Sequence, residues 1–182
     1  MDHLVEYERL IERLAAERTK QRVPNGLPEH AAVLLKTMFT YANSEIRVYS
    51  GDLSEIVFGN PPLLEAVSSF ISRANSKLRI LLQNAKDDAW LDSHPLTVRM
   101  RKLAQSGVIH GSFDIRNASG SYADADAHHF TVMDQDGYRF ELEHEHTKAI
   151  ANFNEPKVAR NLIKAFDEAF EIAGEGKRLY SF

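Results

Sequence analysis

The sequence contains no cysteine. That excludes a disulfide framework, a thiolate metal site and a thiol nucleophile. It also lacks any apolar run long enough to span a bilayer, which takes about 20 consecutive residues. The opening stretch, MDHLVEYERLIERL, alternates charges instead of following a basic region with an apolar one, so no secretory leader is expected. Positive charge is not in excess: 22 lysines and arginines face 26 aspartates and glutamates, a formal net charge of −4. Such a balance does not favour a nucleic-acid backbone or an anionic lipid surface, though it leaves room for a local basic patch. A Gly-x-Ser-x-Gly elbow and a metalloprotease helix motif are also missing. These absences predict a cytoplasmic protein with no membrane partner and no cofactor.

What is present is ordinary for one soluble domain: 182 residues, 43% hydrophobic and 26% charged. Leu4, Tyr7, Leu10, Ile11 and Leu14 share a stripe at helical spacing. Pro24, Gly26 and Pro28 break that helix, and a second one follows through HAAVLLKTMFTYA. From residue 45 the pattern changes to short β runs alternating with helices. Strands are predicted at 46–50, 78–82, 111–116, 128–134, 138–143 and 148–153. Asn60 is read as the cap of one helix, Ser93 of the next and Asn154 of the last. Strands separated by helices argue for parallel crossovers, and LRILL at 78–82 is too apolar to have a wet side. The expected fold is α/β, a mixed sheet covered by helices on both faces. It divides into a helical N-terminal extension, 1–44, and one α/β domain, 45–182.

The residues with most chemistry are in HHFTVMDQDGYRFELEHEH, 128–146, where four of eight histidines lie among acids around an Asp-Gly turn. Strand alternation puts His129, Thr131 and Met133 on one face and His128, Phe130 and Val132 on the other. Phe130 and Val132 are assigned to the core, with His128 beside them, so His129 and Thr131 should face a cleft. His144 and His146, two apart, are the geometry by which one strand face binds zinc or another divalent ion, with Glu141 or Glu143 nearby. The competing reading of that pair is a solvated loop of mixed charge. Arg99, Arg101 and Lys102 form a small basic run, read as a solvated helix face.

His129, Thr131 and Asp136 stand at the spacing of a His-x-Lys motif followed, after four residues, by Asp. The segment resembles the phospholipase D superfamily, with Thr131 in place of the lysine. AIANFNEPKVARNLIKAFDEAF, 149–170, is similar to that family's closing strand, turn and final helix, and the resemblance runs from about residue 45 to 172. It implies a phospholipase D-like mixed sheet and a histidine, His129, that forms a phosphohistidine. It also implies a second motif's histidine as acid and base, and lysines with a Gly-Ser-x-Asn segment to hold phosphate. Asp136 is then either an orienting acid or simply a hairpin-turn residue. A single motif copy implies a homodimer sharing one cleft.

The sequence departs from the family where charge matters. Thr131 supplies no cation, ELEHEH (141–146) replaces Gly-Ser-x-Asn, and Asp124 and Asp126 precede the motif. The expectation is a catalytically degenerate domain serving as a protein-binding or regulatory module, of the kind found in bacterial accessory or mobile-element proteins. One alternative is a homodimeric phosphodiesterase or nuclease using His129; another is a metal-dependent binder using His144 and His146. A basic cleft lined by Arg139 and Lys148 would favour the nuclease, an acidic one the module.

Overall fold

A computed structural model describes residues 3–84, 87–123, 128–142, 148–174 and 178–181. In chain order the elements are α1 (His3–Ala16), β1 (Val23–Asn25), α2 (Pro28–Tyr41), β2 (Glu45–Ser50), α3 (Glu55–Phe58), α4 (Pro61–Ile71) and β3 (Lys77–Leu82). There follow α5 (Asp88–Ser93), α6 (Pro95–Gln105), β4 (Ser112–Asn117), β5 (Phe130–Met133), β6 (Gly137–Glu141), β7 (Ala149–Asn152), α7 (Pro156–Gly174) and β8 (Arg178–Ser181). The strands form one mixed sheet in the order β1-β7-β6-β5-β2-β3-β4-β8. Only β2, β3 and β4 run parallel, with Ile46 beside Leu78 and Leu78 beside Phe113. Parallel neighbours need a long crossover, and α3–α4 and α5–α6 supply the two.

Alternation sorts the side chains into two cores, one on each side of the sheet. Ile46, Val48, Leu78, Ile80, Phe113 and Ile115 pack under α2, α4 and α6. Tyr49, Leu81, Phe130 and Val132 face Ala159, Phe166 and Phe170 of α7 instead. Fully burying a side chain such as Phe39, Phe70 or Phe113 stabilises the fold by about 1.5–3 kcal/mol. Both faces are covered, as the apolar β3 requires.

The six predicted strands are all present, within two residues at most ends. Asn60 caps α4, its side chain accepting from the Leu63 amide at 3.3 Å. Gly107, at φ 72°, stops α6 in the left-handed conformation that glycine adopts without strain. Elsewhere the local reading changes. Val23–Asn25, read only as a helix break, pairs with β7 as an edge strand, a position that tolerates Pro24. Residues Asp88–Ser93 form a further short helix, so Ser93 ends α5, and His94 caps α6 by accepting the Leu96 amide on Nδ1. α7 begins at Pro156, so Asn154 stands one residue before its cap position, and the Asn154 side-chain Nδ2 donates to the Arg18 carbonyl at 2.7 Å. The first two helices share the core of the sheet: Ile11, Leu14, Leu34, Leu35 and Met38 are buried in it.

Two tight points hold the sheet's lower end. Asp134, at φ 53°, accepts the amides of Asn43 and Ser44, each at 2.8 Å, and of Glu45 at 3.1 Å. Gly111 enters β4 so close to the turn between α4 and β3 that a Cβ would lie 2.6 Å from the Ser76 carbonyl oxygen and 3.1 Å from that of Ile71. Backbone atoms cannot swing aside as a side chain can. Gly111→Ala is therefore expected to cost about 2 kcal/mol as an overpacking change, read as a lower urea midpoint with an unaltered slope.

Candidate functional site around His129

The parallel strands end on one side of the molecule, the place where open α/β sheets carry their crevices. Tyr49, Ser50 and Gly51 leave β2 there, and Gln83 leaves β3. His129 arrives at the same edge, immediately before β5. The hairpin register pairs Phe130 with Phe140, which sets His129 opposite Glu141 at the end of β6. The Glu141 amide donates to the His129 carbonyl at 2.9 Å.

The imidazole is held on three sides. Nδ1 lies 3.1 Å from Glu141 Oε2, and Nε2 lies 2.9 Å from Gln83 Oε1. Tyr49 meets the ring edge to face at 6.0 Å. A Cβ on Gly51 would come within 3.0 Å of His129 Cε1, so only glycine leaves the ring this room. Both ring nitrogens therefore face a side-chain oxygen, and a nitrogen that carries its hydrogen donates to the oxygen it faces. The arrangement orients a histidine well.

The charge around it is another matter. Thr131, two residues on, is 3% exposed and lines the same cavity. Its cross-strand neighbour is Arg139, a cation. Arg139 is 6% exposed and already engaged: Nη1 donates to Glu141 Oε1 at 2.8 Å and Nε to Asn25 Oδ1 at 3.3 Å. Burial pushes the Glu141 carboxyl up, but hydrogen bonds from His129 and Arg139 outweigh this and hold it below the usual carboxylate range. The cavity, about 230 Å³, is also lined by Asp52. Among its lining residues the one arginine is thus matched by Glu141, and Asp52 is left over as negative charge.

The other expected residues lie elsewhere. Asp136 sits at the hairpin tip, where Arg18 Nη1 binds it at 2.8 Å. With all of β5 between them, it is roughly 15 Å or more from His129 at the rise of an extended strand. His144 and His146 lie outside the described residues, as do Asp124, Asp126 and Glu143. Among the described residues, no group of three or more histidines and carboxylates could hold a metal ion. His128 is exposed, its ring 5.1 Å from Phe140, and does not enter the core; the strand begins only at Phe130, so alternation does not reach back to it. Arg99 and Arg101 are paired with Glu65 and Asp92 on the helix surface. Glu141 as the partner of His129 was readable from the hairpin register. Gln83 and Asn25 were not, because they come from strands whose pairing no local signal gives.

Residues 27–182 match the family described as Domain of unknown function (DUF7931). No curated protein matches the chain. Among solved structures it is similar to Nuc from Salmonella typhimurium, a phospholipase D family member, with 17% identity over 87% of this chain and 97% of that one, at a TM-score of 0.55. NucT from Helicobacter pylori is similar at 10% identity, covering 83% and 96%, with a TM-score of 0.53. TrmBL2, an archaeal chromatin protein whose structure shows a novel mode of DNA binding, is similar at 16% identity and a TM-score of 0.58. That match takes in 93% of this chain, which spans 60% of the length of TrmBL2. The fold is phospholipase D-like.

Proposed function

Because the chain belongs to the DUF7931 family, whose description names no activity, we propose its function from the site itself: a phospholipase D-like domain that has lost hydrolysis and works as a protein-binding or regulatory module. One observation carries this reading. Thr131 occupies the lysine position of the motif, and the adjacent cation, Arg139, is bound to Glu141 and Asn25. A phosphoryl group entering the cavity would meet oriented imidazole but no cation to take up charge on its oxygens. One missing donor of that kind costs about 3 kcal/mol, or roughly 100-fold in rate.

TrmBL2 offers a precedent for binding by a protein of this fold, and its partner is DNA. Here the charge argues for a protein partner instead. The net charge is −4, and Glu29, Asp52 and Glu55 are exposed at or beside the cavity. Among the described residues no helix is long and apolar enough to cross a membrane.

The purified chain is expected to release no p-nitrophenol from bis-p-nitrophenyl phosphate, and to leave single-stranded DNA and RNA intact, with or without EDTA. His129→Ala should change neither result. Cleavage that His129→Ala abolishes would replace this reading with a homodimeric phosphodiesterase, each chain lending one histidine. The Glu141–His129 pair is the feature that favours that alternative. Cleavage that EDTA abolishes would point to a metal-dependent activity and to His144 and His146.

A further inference from the structure

We infer that the cavity beside His129 receives one apolar side chain of a partner peptide, with the peptide's neighbouring lysines or arginines lying on an acidic rim. The inference rests on the reading of the domain as a protein-binding module and names what that module recognises.

Beside Asp52, His129, Arg139 and Glu141 the cavity has a large apolar share of wall. Ala31, Leu35, Val57 and Phe58 line it, with Ser50 and Thr131 among its polar members. A lysine at 131 would bring its ammonium group to this cavity; threonine leaves that position uncharged. The departure from the motif that removes a phosphate ligand therefore makes room for a hydrocarbon. At about 230 Å³ the space is smaller than the roughly 300–1,000 Å³ of pockets that enclose drug-sized ligands. It suits a single leucine, methionine or phenylalanine side chain, the kind of anchor that fills a pocket at the centre of an interface.

The rim is apolar and acidic together. Six large hydrophobic residues are exposed among the described residues, and three of them adjoin cavity-lining positions in the chain. Leu27 (48% exposed) precedes Pro28, Ile56 (73%) precedes Val57, and Leu142 (47%) follows Glu141. Exposed apolar residues that each adjoin the lining of one cavity are the material of a contact surface there. Interleaved with them are the exposed carboxylates Glu29, Asp52 and Glu55. Against these stands Lys148, whose carbonyl accepts the Leu142 amide. Arg139 is held within the site by Glu141. A peptide with an apolar anchor and basic flanks complements both properties; an acidic peptide or a nucleic-acid strand complements neither.

The test is selection of random heptapeptides displayed on phage against the immobilised full chain, followed by fluorescence anisotropy with the enriched sequence as a synthetic, labelled peptide. Enriched sequences should place leucine, isoleucine, methionine or phenylalanine beside lysine or arginine. Ile56→Glu, and separately Asp52→Lys with Glu55→Lys, should each weaken the labelled peptide by about tenfold or more. These positions are exposed, and an unchanged circular dichroism spectrum confirms that the variants fold. No enrichment, acidic winners, or binding that both variants leave intact would each overturn the inference. So would light scattering that shows a dimer split by Ile56→Glu, since the rim would then be covered by a second copy. Failure of the peptide arm with no hydrolysis leaves the module reading standing, whereas cleavage abolished by His129→Ala removes that reading itself.

Discussion

Replacing Asp134 with alanine is expected to destabilise the protein by about 3–5 kcal/mol, a large part of the roughly 5–15 kcal/mol that holds a domain folded. The carboxylate is 7% exposed and accepts three consecutive backbone amides, Asn43, Ser44 and Glu45, while Arg18 reaches its second oxygen at 3.4 Å. Alanine would leave those amides without their acceptor, at about 1–3 kcal/mol for each one that stays buried. It would also place a residue without a polar side chain at φ 53°, where aspartate and asparagine are favoured. Asp134→Asn keeps the backbone preference and one good acceptor, so it should cost about half as much. The pH dependence follows from the carboxyl's environment. Burial raises its pKa, but the three amides and Arg18 outweigh burial and lower it. A depressed folded-state value means stability that is fully present above the unfolded value of about 3.9 and is lost as pH falls through the folded one. Urea unfolding of the native chain should therefore weaken steeply below about pH 4. In Asp134→Ala that share of the dependence is gone, and the gap between the two proteins narrows with acid.

Arg139→Ala should cost about 3 kcal/mol, the lower end of what breaking a buried ion pair costs. The guanidinium joins β6 to β1 through Asn25 and neutralises Glu141 beside His129. Glu141 keeps partial solvent access and its bond to His129, so the figure does not reach the top of that range. Most of the loss comes from the carboxylate left behind. Arg139→Met with Glu141→Gln should accordingly recover more than half of it, a coupling that a double-mutant cycle measures directly. Additive losses in that cycle would show that Arg139 acts through Asn25 and packing alone.

The sheet was legible because its signals are local. IRVYS and LRILL announce β2 and β3 by branching and apolarity, and Gln135-Asp136-Gly137 announces the β5–β6 hairpin. Short elements without such signals were hidden. β1 is three residues long with a proline in the middle, and its only reason to be a strand is the free edge of β7, some 125 residues away in the chain. The same limit applied at the site. His129 and Thr131 could be placed on one face of a strand, and Glu141 follows from the hairpin register. Gln83 belongs to a strand brought in by a parallel crossover, and Asn25 to the edge strand, so neither carried a mark of its role. Asp136, picked out by spacing, turned out to hold Arg18, while Asp134, two residues earlier and unremarked, binds the three amides.

The segment between α1 and β1 is tied down mainly by residues more than a hundred positions further along the chain, with the Arg18 bond to the Tyr41 carbonyl a nearer exception. Arg18 binds Asp134 and Asp136, its carbonyl accepts from Asn154, the Lys20 carbonyl accepts from Asn152, and Arg22 pairs with Glu155. The separations run from 116 to 136 residues. On a ribosome these groups wait, hydrated, while more than a hundred further residues are added. α1 can dock on α2 early, but the strap beyond it closes only after β5, β6 and β7 have formed, and that closure carries the entropy of a very long loop. Folding should thus proceed from the middle of the sequence outward, with the amino-terminal strap arriving as the final step and the rate set by those distant pairings more than by any helix.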